Sequence, residues 1–170
     1  FKDAEAIEAL SKVNTLIIDK TGTLTEGKPS LKEIKLLTDD VQLIQVETWI
    51  ASIEQNSSHP IAKTLTKLVP EDQLLSTQDF EDVFGFGVKA KVDGQWLYVG
   101  SQKLIETMRL SLNDSLIQIL DQQRREGNVI SFIANDQQVL AYMSIHDAIK
   151  HNVKAVIHQL LSDGVEVVMA

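Results

Sequence analysis

The run Val13-Asn14-Thr15-Leu16-Ile17-Ile18, followed at once by Asp19-Lys20-Thr21-Gly22-Thr23-Leu24-Thr25, constrains this chain more than any other stretch. The first part is short, apolar and rich in β-branched residues, which is the composition of a buried parallel strand. The second part is polar and contains a glycine, so it reads as the loop leaving the strand's carboxyl end. In open α/β sheets ligands bind at that end. A carboxylate there, with a lysine beside it, can attack a phosphoryl group, with Mg²⁺ and Lys20 offsetting the charge repulsion. Read conservatively, the loop is an ordinary turn with an N-capping Asp or Thr. That reading explains the Gly and a Thr but not the whole ordered string.

At 170 residues the chain is long enough for one large domain or two small ones. An apolar fraction of 44% is enough for a real core. The net charge of −8 argues against nonspecific binding to nucleic acid or to an anionic membrane. With no Cys there is neither a disulfide nor a thiolate metal site. No apolar run approaches the ~20 residues that span a bilayer. Phe1-Lys2-Asp3-Ala4-Glu5 lacks the basic start and apolar core of a signal peptide. The chain does not begin with Met, and the strand pattern Val165 to Ala170 has nothing after it. A soluble piece of a larger protein is therefore expected.

Along the chain, residues 2 to 12 read as a short amphipathic helix and 13 to 18 as the first strand. Glu26-Gly27-Lys28-Pro29 breaks the pattern and marks a hinge or domain crossing. A half-buried strand follows over 31 to 37. Asp39-Asp40 is placed to cap a helix over 41 to 55, and Pro60 to open another over 60 to 69, with Ser58 or His59 near its cap. Residues 78 to 100 read as β structure, with a hairpin turning at Asp93-Gly94. Ser101 is a candidate cap for a helix over 102 to 108, and Asn113 or Asp114 for one over 115 to 126 that ends at Gly127. A second hairpin, 129 to 134 and 139 to 145, leads to a helix over 148 to 162 and a last strand over 165 to 169. The fold class expected is α/β with an inserted α+β domain built on an antiparallel sheet. The expected division is 1–28, 29–137 and 138–170, the outer two pieces forming one domain.

Two weaker signals lie inside the insertion. His59-Pro60 alone reads most simply as a capping or surface histidine. Gly85-x-Gly87-x-x-Ala90 has the outline of a dinucleotide fingerprint, but that fingerprint opens a helix after a strand, and here the glycines lead into a hairpin. A bulge or tight bend explains them; so does close approach of a planar base or phosphates to bare backbone.

The heptapeptide Asp19 to Thr25 matches the phosphorylation signature of P-type ATPases, and with His59-Pro60 and the glycines the whole chain resembles the heavy-metal-transporting (P1B) subclass. The resemblance implies a haloacid-dehalogenase-like, Rossmann-type phosphorylation domain, present here in part, interrupted by a nucleotide-binding domain. It implies ATP and Mg²⁺ as cofactors and Asp19 as phosphoryl acceptor, with Lys20, Thr21 and Thr23 beside it. Mg²⁺ would take the Asp19 carboxylate and the Thr21 carbonyl, and Thr23 would hydrogen-bond the phosphoryl group. Glu54, His59, Gly85, Gly87 and Gly100 would line the ATP pocket, Glu54 and His59 on the adenine. The inserted domain would swing about the two crossings to bring the γ-phosphate in line with Asp19. This chain departs from the family in having Ser101 where Asn is usual after the Gly, Ser58 where a charge is common, and Ala148 where Pro is common in Asp147-Ala148-Ile149-Lys150.

The resemblance also implies partners. These are the membrane helices and actuator domain of a transporter, which the chain would serve at the cytoplasmic face, as a monomer when isolated. Copper(I) is the expected ion and zinc-type ions the second choice. The rival reading is a haloacid-dehalogenase-type phosphatase acting on small phosphate esters. Such enzymes carry a second Asp two residues after the nucleophile, where this chain has Thr21. Without that acid and base, water is poorly activated and an aspartyl-phosphate lasts longer, as a pump requires.

Overall fold

The computed structural model describes residues 12–169. The helix expected over 2 to 12 lies outside them. Contacts divide the chain into two compact units, one made of 1–28 with 147–170 and the other of 29–146.

In the first unit, β1 (Thr15–Ile18) pairs in parallel with β8 (Glu166–Met169), Thr15 opposite Glu166 and Ile18 opposite Met169. The helix α5 (Val153–Ser162) supplies the crossover into β8. It begins five residues later than the sequence pattern predicts. The reason is that 147–150 run as extended backbone, with Thr25 bridged to Ile149 and the Lys150 N–H donating to the Leu24 carbonyl. The parallel pairing is as expected, but burial on both faces is not, because Ile17 is 69% exposed. Among the described residues of this unit, α5 is the helix available to the pair, and it leaves one face open.

The second unit is a six-stranded antiparallel sheet in the order β2-β7-β6-β5-β4-β3. Its strands are β2 (Ser30–Leu36), β3 (Gln78–Val83), β4 (Gly87–Val92), β5 (Gln95–Gly100), β6 (Val129–Asn135) and β7 (Val139–His146). Helices α1 (Leu43–Glu54) and α2 (Ala62–Leu65) cover one face. Val46, Trp49, Ile50 and Ile53 of α1 recur at helical spacing and pack on Val88, Ala90, Leu97, Val99, Ile133 and Met143. Helices α3 (Gln102–Thr107) and α4 (Asp114–Arg125) cover part of the other face, where Ile105, Leu116 and Leu120 meet Ile130, Phe132 and Tyr142. The period-two alternation of β6, Ile133 to one side and Ile130, Phe132 and Ala134 to the other, feeds both cores. Beyond α3 and α4, the ammonium groups of Lys89 and Lys91 lie 5.3 and 5.0 Å from the centre of the Trp96 ring.

Several local expectations change. The crossing expected at 137/138 falls at 146/147, because β7 is paired on both edges within the six-stranded sheet. The helix expected over 60 to 69 shrinks to the single turn of α2, in a stretch where the β-branched Ile61, Thr64 and Thr66 weaken helix propensity and the Thr64 hydroxyl bonds the Pro29 carbonyl. The Asp39-Asp40 pair does not cap α1; Gln42 stands at its N-cap, and the Asp40 carboxylate accepts from Thr38 and Gln138. Ser101 holds the N-cap position of α3 without capping it. Asn113 does cap α4, accepting from the Leu116 N–H at 2.8 Å. The Asp93-Gly94 turn has φ of 51° and 78°, the left-handed pair that a two-residue hairpin needs.

Candidate functional site

A cavity of about 310 Å³ opens in the second unit where the end of α1 meets the β3–β4 turn and the ends of β5, β6 and β7. Its wall carries Glu54, His59, Gly85, Gly87 and Gly100, five residues scattered over 47 positions of sequence and brought together by the fold. Glu54 is the last residue of α1 and is 5% exposed. Its Oε2 is buried without a hydrogen-bond partner. Burial pushes its carboxyl up to about 7, against a hydrogen bond from Ser57 and with a further upward push from the Asp82 carboxylate. His59 is exposed on the loop after α1, and its Nδ1 accepts from the Ile61 N–H at 3.3 Å, which leaves Nε2 to carry the proton in the neutral ring.

The glycines do not share one role. A Cβ on Gly87 would stand 2.2 Å from the Val99 carbonyl oxygen, and one on Gly100 would stand 2.2 Å from the Phe86 carbonyl oxygen. The two residues face each other across the β4–β5 pairing. Their lack of side chains is thus accounted for by strand meeting strand. Gly85, at φ 76°, would place a Cβ in open space and owes its identity to the turn conformation.

Ser101, expected from the sequence only as a helix cap, lines the same cavity, and its Oγ is buried with no partner. An N-cap serine normally spends its hydroxyl on the helix, and that signal pointed to capping. Asp82 on β3 also lines the cavity and was missed, because an acidic residue in an edge strand has no distinctive pattern.

In the first unit Asp19 follows β1 directly and lines, with Thr23, a second cavity closed by α5 residues such as Val153 and Val156. Lys20–Leu24 form one π turn in place of an open loop. The backbone of Lys20 and Thr21 belongs to that turn. Thr25, 1% exposed, accepts from the Gly22 N–H at 3.0 Å and donates to Asp147 Oδ2 at 2.6 Å. Asp147 Oδ1 accepts from the Lys28 N–H at 3.2 Å. Lys150 Nζ donates to the Gly22 and Thr23 carbonyls at 2.7 and 3.1 Å. Segment 147–150 therefore grips the loop that carries Asp19, a role the sequence pattern did not disclose. Among the described residues no group of three or more His, Asp or Glu could hold a metal ion. Beside this loop Asp19 offers a carboxylate and the turn offers backbone carbonyls, hard-oxygen donors of the kind that suit Mg²⁺ when water and phosphate complete the shell.

The model of a hydrolase family described as haloacid dehalogenase-like hydrolase matches residues 13–170. A copper-exporting P-type ATPase of Legionella pneumophila is 36% identical over 170 residues, an alignment covering 99% of this chain and 23% of that protein. The chain thus spans about a quarter of that relative's length. Among solved structures, the catalytic domain of the CPx-ATPase CopB-B aligns with a TM-score of 0.67 at 24% identity, over 99% of this chain and 56% of that one. The N-domain of HMA6, a copper-transporting P-type ATPase, aligns with a TM-score of 0.54 at 19% identity, over 70% of this chain and 99% of that one. The fold is therefore α/β with an inserted antiparallel α+β unit, as these relatives have it. With Asp19 to Thr25 standing at the carboxyl end of β1, the chain belongs to the haloacid dehalogenase-like hydrolase family.

Proposed function

We propose that this chain is the ATP-binding and phosphoryl-accepting cytosolic part of a heavy-metal-exporting P-type ATPase, with copper(I) as the transported ion. The observation that carries the reading is the cavity of the second unit: Glu54 offers a buried, unpartnered carboxyl oxygen in it, beside His59 and a glycine-lined wall. A nucleotide base supplies the polar partner that the free protein lacks. Glu54 and His59 take the adenine, and Gly85, Gly87 and Gly100 form the wall along which the nucleotide lies. Asp19 receives the γ-phosphoryl group as nucleophile, with Lys20 offsetting its charge and Thr23 hydrogen-bonding it. The Asp19 carboxylate and the Thr21 carbonyl would hold Mg²⁺, whose contribution is to neutralise the transferring phosphoryl group. Thr21, standing where a phosphatase has its acid and base, favours storage of the phosphoryl group over its release. The membrane helices and actuator domain of the transporter are the partners, at the cytoplasmic face.

Support for the metal comes from the copper-exporting relative's name. No helix among the described residues is long and apolar enough to cross a membrane. Titration of the chain with ATP, followed by NMR, tests the reading. Shifts concentrated at His59, Gly85 and Gly87 are expected, and their absence at millimolar ATP would sink it. Brisk turnover of small phosphate esters by the chain would favour the phosphatase reading instead.

A further inference from the structure

Glu54 Oε2 is buried in the cavity wall with nothing to accept from. A bare carboxylate oxygen so placed is costly, and a neutral carboxyl far less so. The Asp82 carboxylate pushes the same way, and a hydrogen bond from Ser57 opposes it in part. Asp82 faces the cavity from β3 and His59 from the loop after α1. Strands β4 to β7, Ile61 and the head of α3 contribute apolar side chains, glycines and serine hydroxyls to the lining, and no cation. The phosphates of a bound nucleotide would add negative charge, not relieve it.

Adenine carries its amine next to an unprotonated ring nitrogen on either edge that holds the amine. A neutral carboxyl meets that pair with two hydrogen bonds: its carbonyl oxygen accepts from the amine, and its O–H donates to the ring nitrogen. A carboxylate can only accept, so its second oxygen would confront the ring nitrogen's lone pair. Resting on the nucleotide reading above, we propose that Glu54 holds adenine as the neutral carboxyl, so that binding draws a proton from solution. In the free protein this carboxyl sits at about 7, raised chiefly by burial. Above that pH the free group is ionised, and the proton it needs on binding is taken up.

Calorimetry of adenosine binding to the whole chain, in buffers of different ionisation enthalpy, counts that proton without interference from phosphate titration. At roughly pH 8 the uptake is expected to approach about one proton per adenosine, with affinity falling about tenfold per pH unit above the carboxyl's own value. Glu54→Gln presents the same acceptor and donor permanently. It is expected to bind with an affinity within about threefold of the wild type's at low pH and to take up no proton. Adenosine binding without proton uptake, uptake that persists in Glu54→Gln, or an affinity loss of about tenfold or more in Glu54→Gln overturns this inference and leaves the nucleotide reading standing. A wild-type chain that binds neither adenosine nor ATP overturns both.

Discussion

Gly100 and Glu54 show how differently two residues of one cavity come to be what they are. Gly100 is fixed by the protein itself, since its Cβ would strike the Phe86 carbonyl oxygen and the Leu104 side chain. Glu54 is the reverse, a residue whose burial harms the free protein. Its folded carboxyl lies at about 7, above the ordinary 4.5. The folded state therefore binds the proton more tightly than the unfolded state does. Stability from this group is complete below about pH 4.5, is lost as pH rises towards 7, and is flat above it. The loss is on the order of 3 kcal/mol at most, and less to the extent that water reaches the group. Denaturant midpoints of Glu54→Gln and wild type should nearly coincide at about pH 5 and separate at about pH 8, with the variant the more stable. A gap that does not widen with pH would show that the burial has no electrostatic cost. In the sequence the glycines were legible as residues that must be small, and Glu54 only through family likeness. Neither the Gly87–Gly100 contact nor the orphaned hydroxyl of Ser101 could be read there, because both depend on which strand ends the fold sets side by side.

At the scale of elements, the loop that bears Asp19 owes its shape to a segment 122 residues away in sequence, through the Thr25–Asp147 hydrogen bond. Thr25 joins Gly22 on one side to Asp147 on the other, and Asp147 reaches on to the Lys28 N–H. A buried hydrogen bond to a carboxylate is worth about 1.5–3 kcal/mol, and removing its donor also strands the acceptor. Thr25→Val keeps the shape and removes the hydroxyl. Amide exchange at Gly22 should then quicken by about tenfold or more, the factor that ~1.4 kcal/mol of local stability gives, while β4 and β5 exchange as before. Unchanged exchange at Gly22 would mean that the Lys150 ammonium and the backbone bonds to 148–150 hold the loop without that hydroxyl. Element type was largely legible from periodicity, and the elements that misled were those settled by distant partners. The start of α5 moved because 147–150 is extended against the loop, and α2 shortened where Thr64 turns to Pro29. Period alone carries no information about such partners.

The whole molecule is a small discontinuous unit interrupted by a large continuous one, and the sheet shows how the interruption is accommodated. Ser30, at the start of β2, pairs with His146, at the end of β7, and the Ser30 hydroxyl also donates to the His146 carbonyl at 3.2 Å. The unit's two chain ends therefore leave from neighbouring strands, which is the arrangement that tolerates insertion of one domain into another. Among the described residues, both apolar cores of this unit, one under α1 and α2 and one under α3 and α4, draw only on 29–146. The cavity does so too. Residues 29–146 expressed alone should therefore fold cooperatively and bind ATP within about threefold of the whole chain's affinity, since no group that lines the cavity is removed. The HMA6 N-domain, solved as a separate chain with this architecture, sets the precedent for the fold. Thermal melting followed by near-ultraviolet dichroism reads the packing around Trp49 and Trp96, and calorimetry reads the affinity. A broad, non-cooperative melt, or a loss of affinity of about tenfold or more, would mean that 1–28 and 147–170 support a site to which they contribute no lining residue.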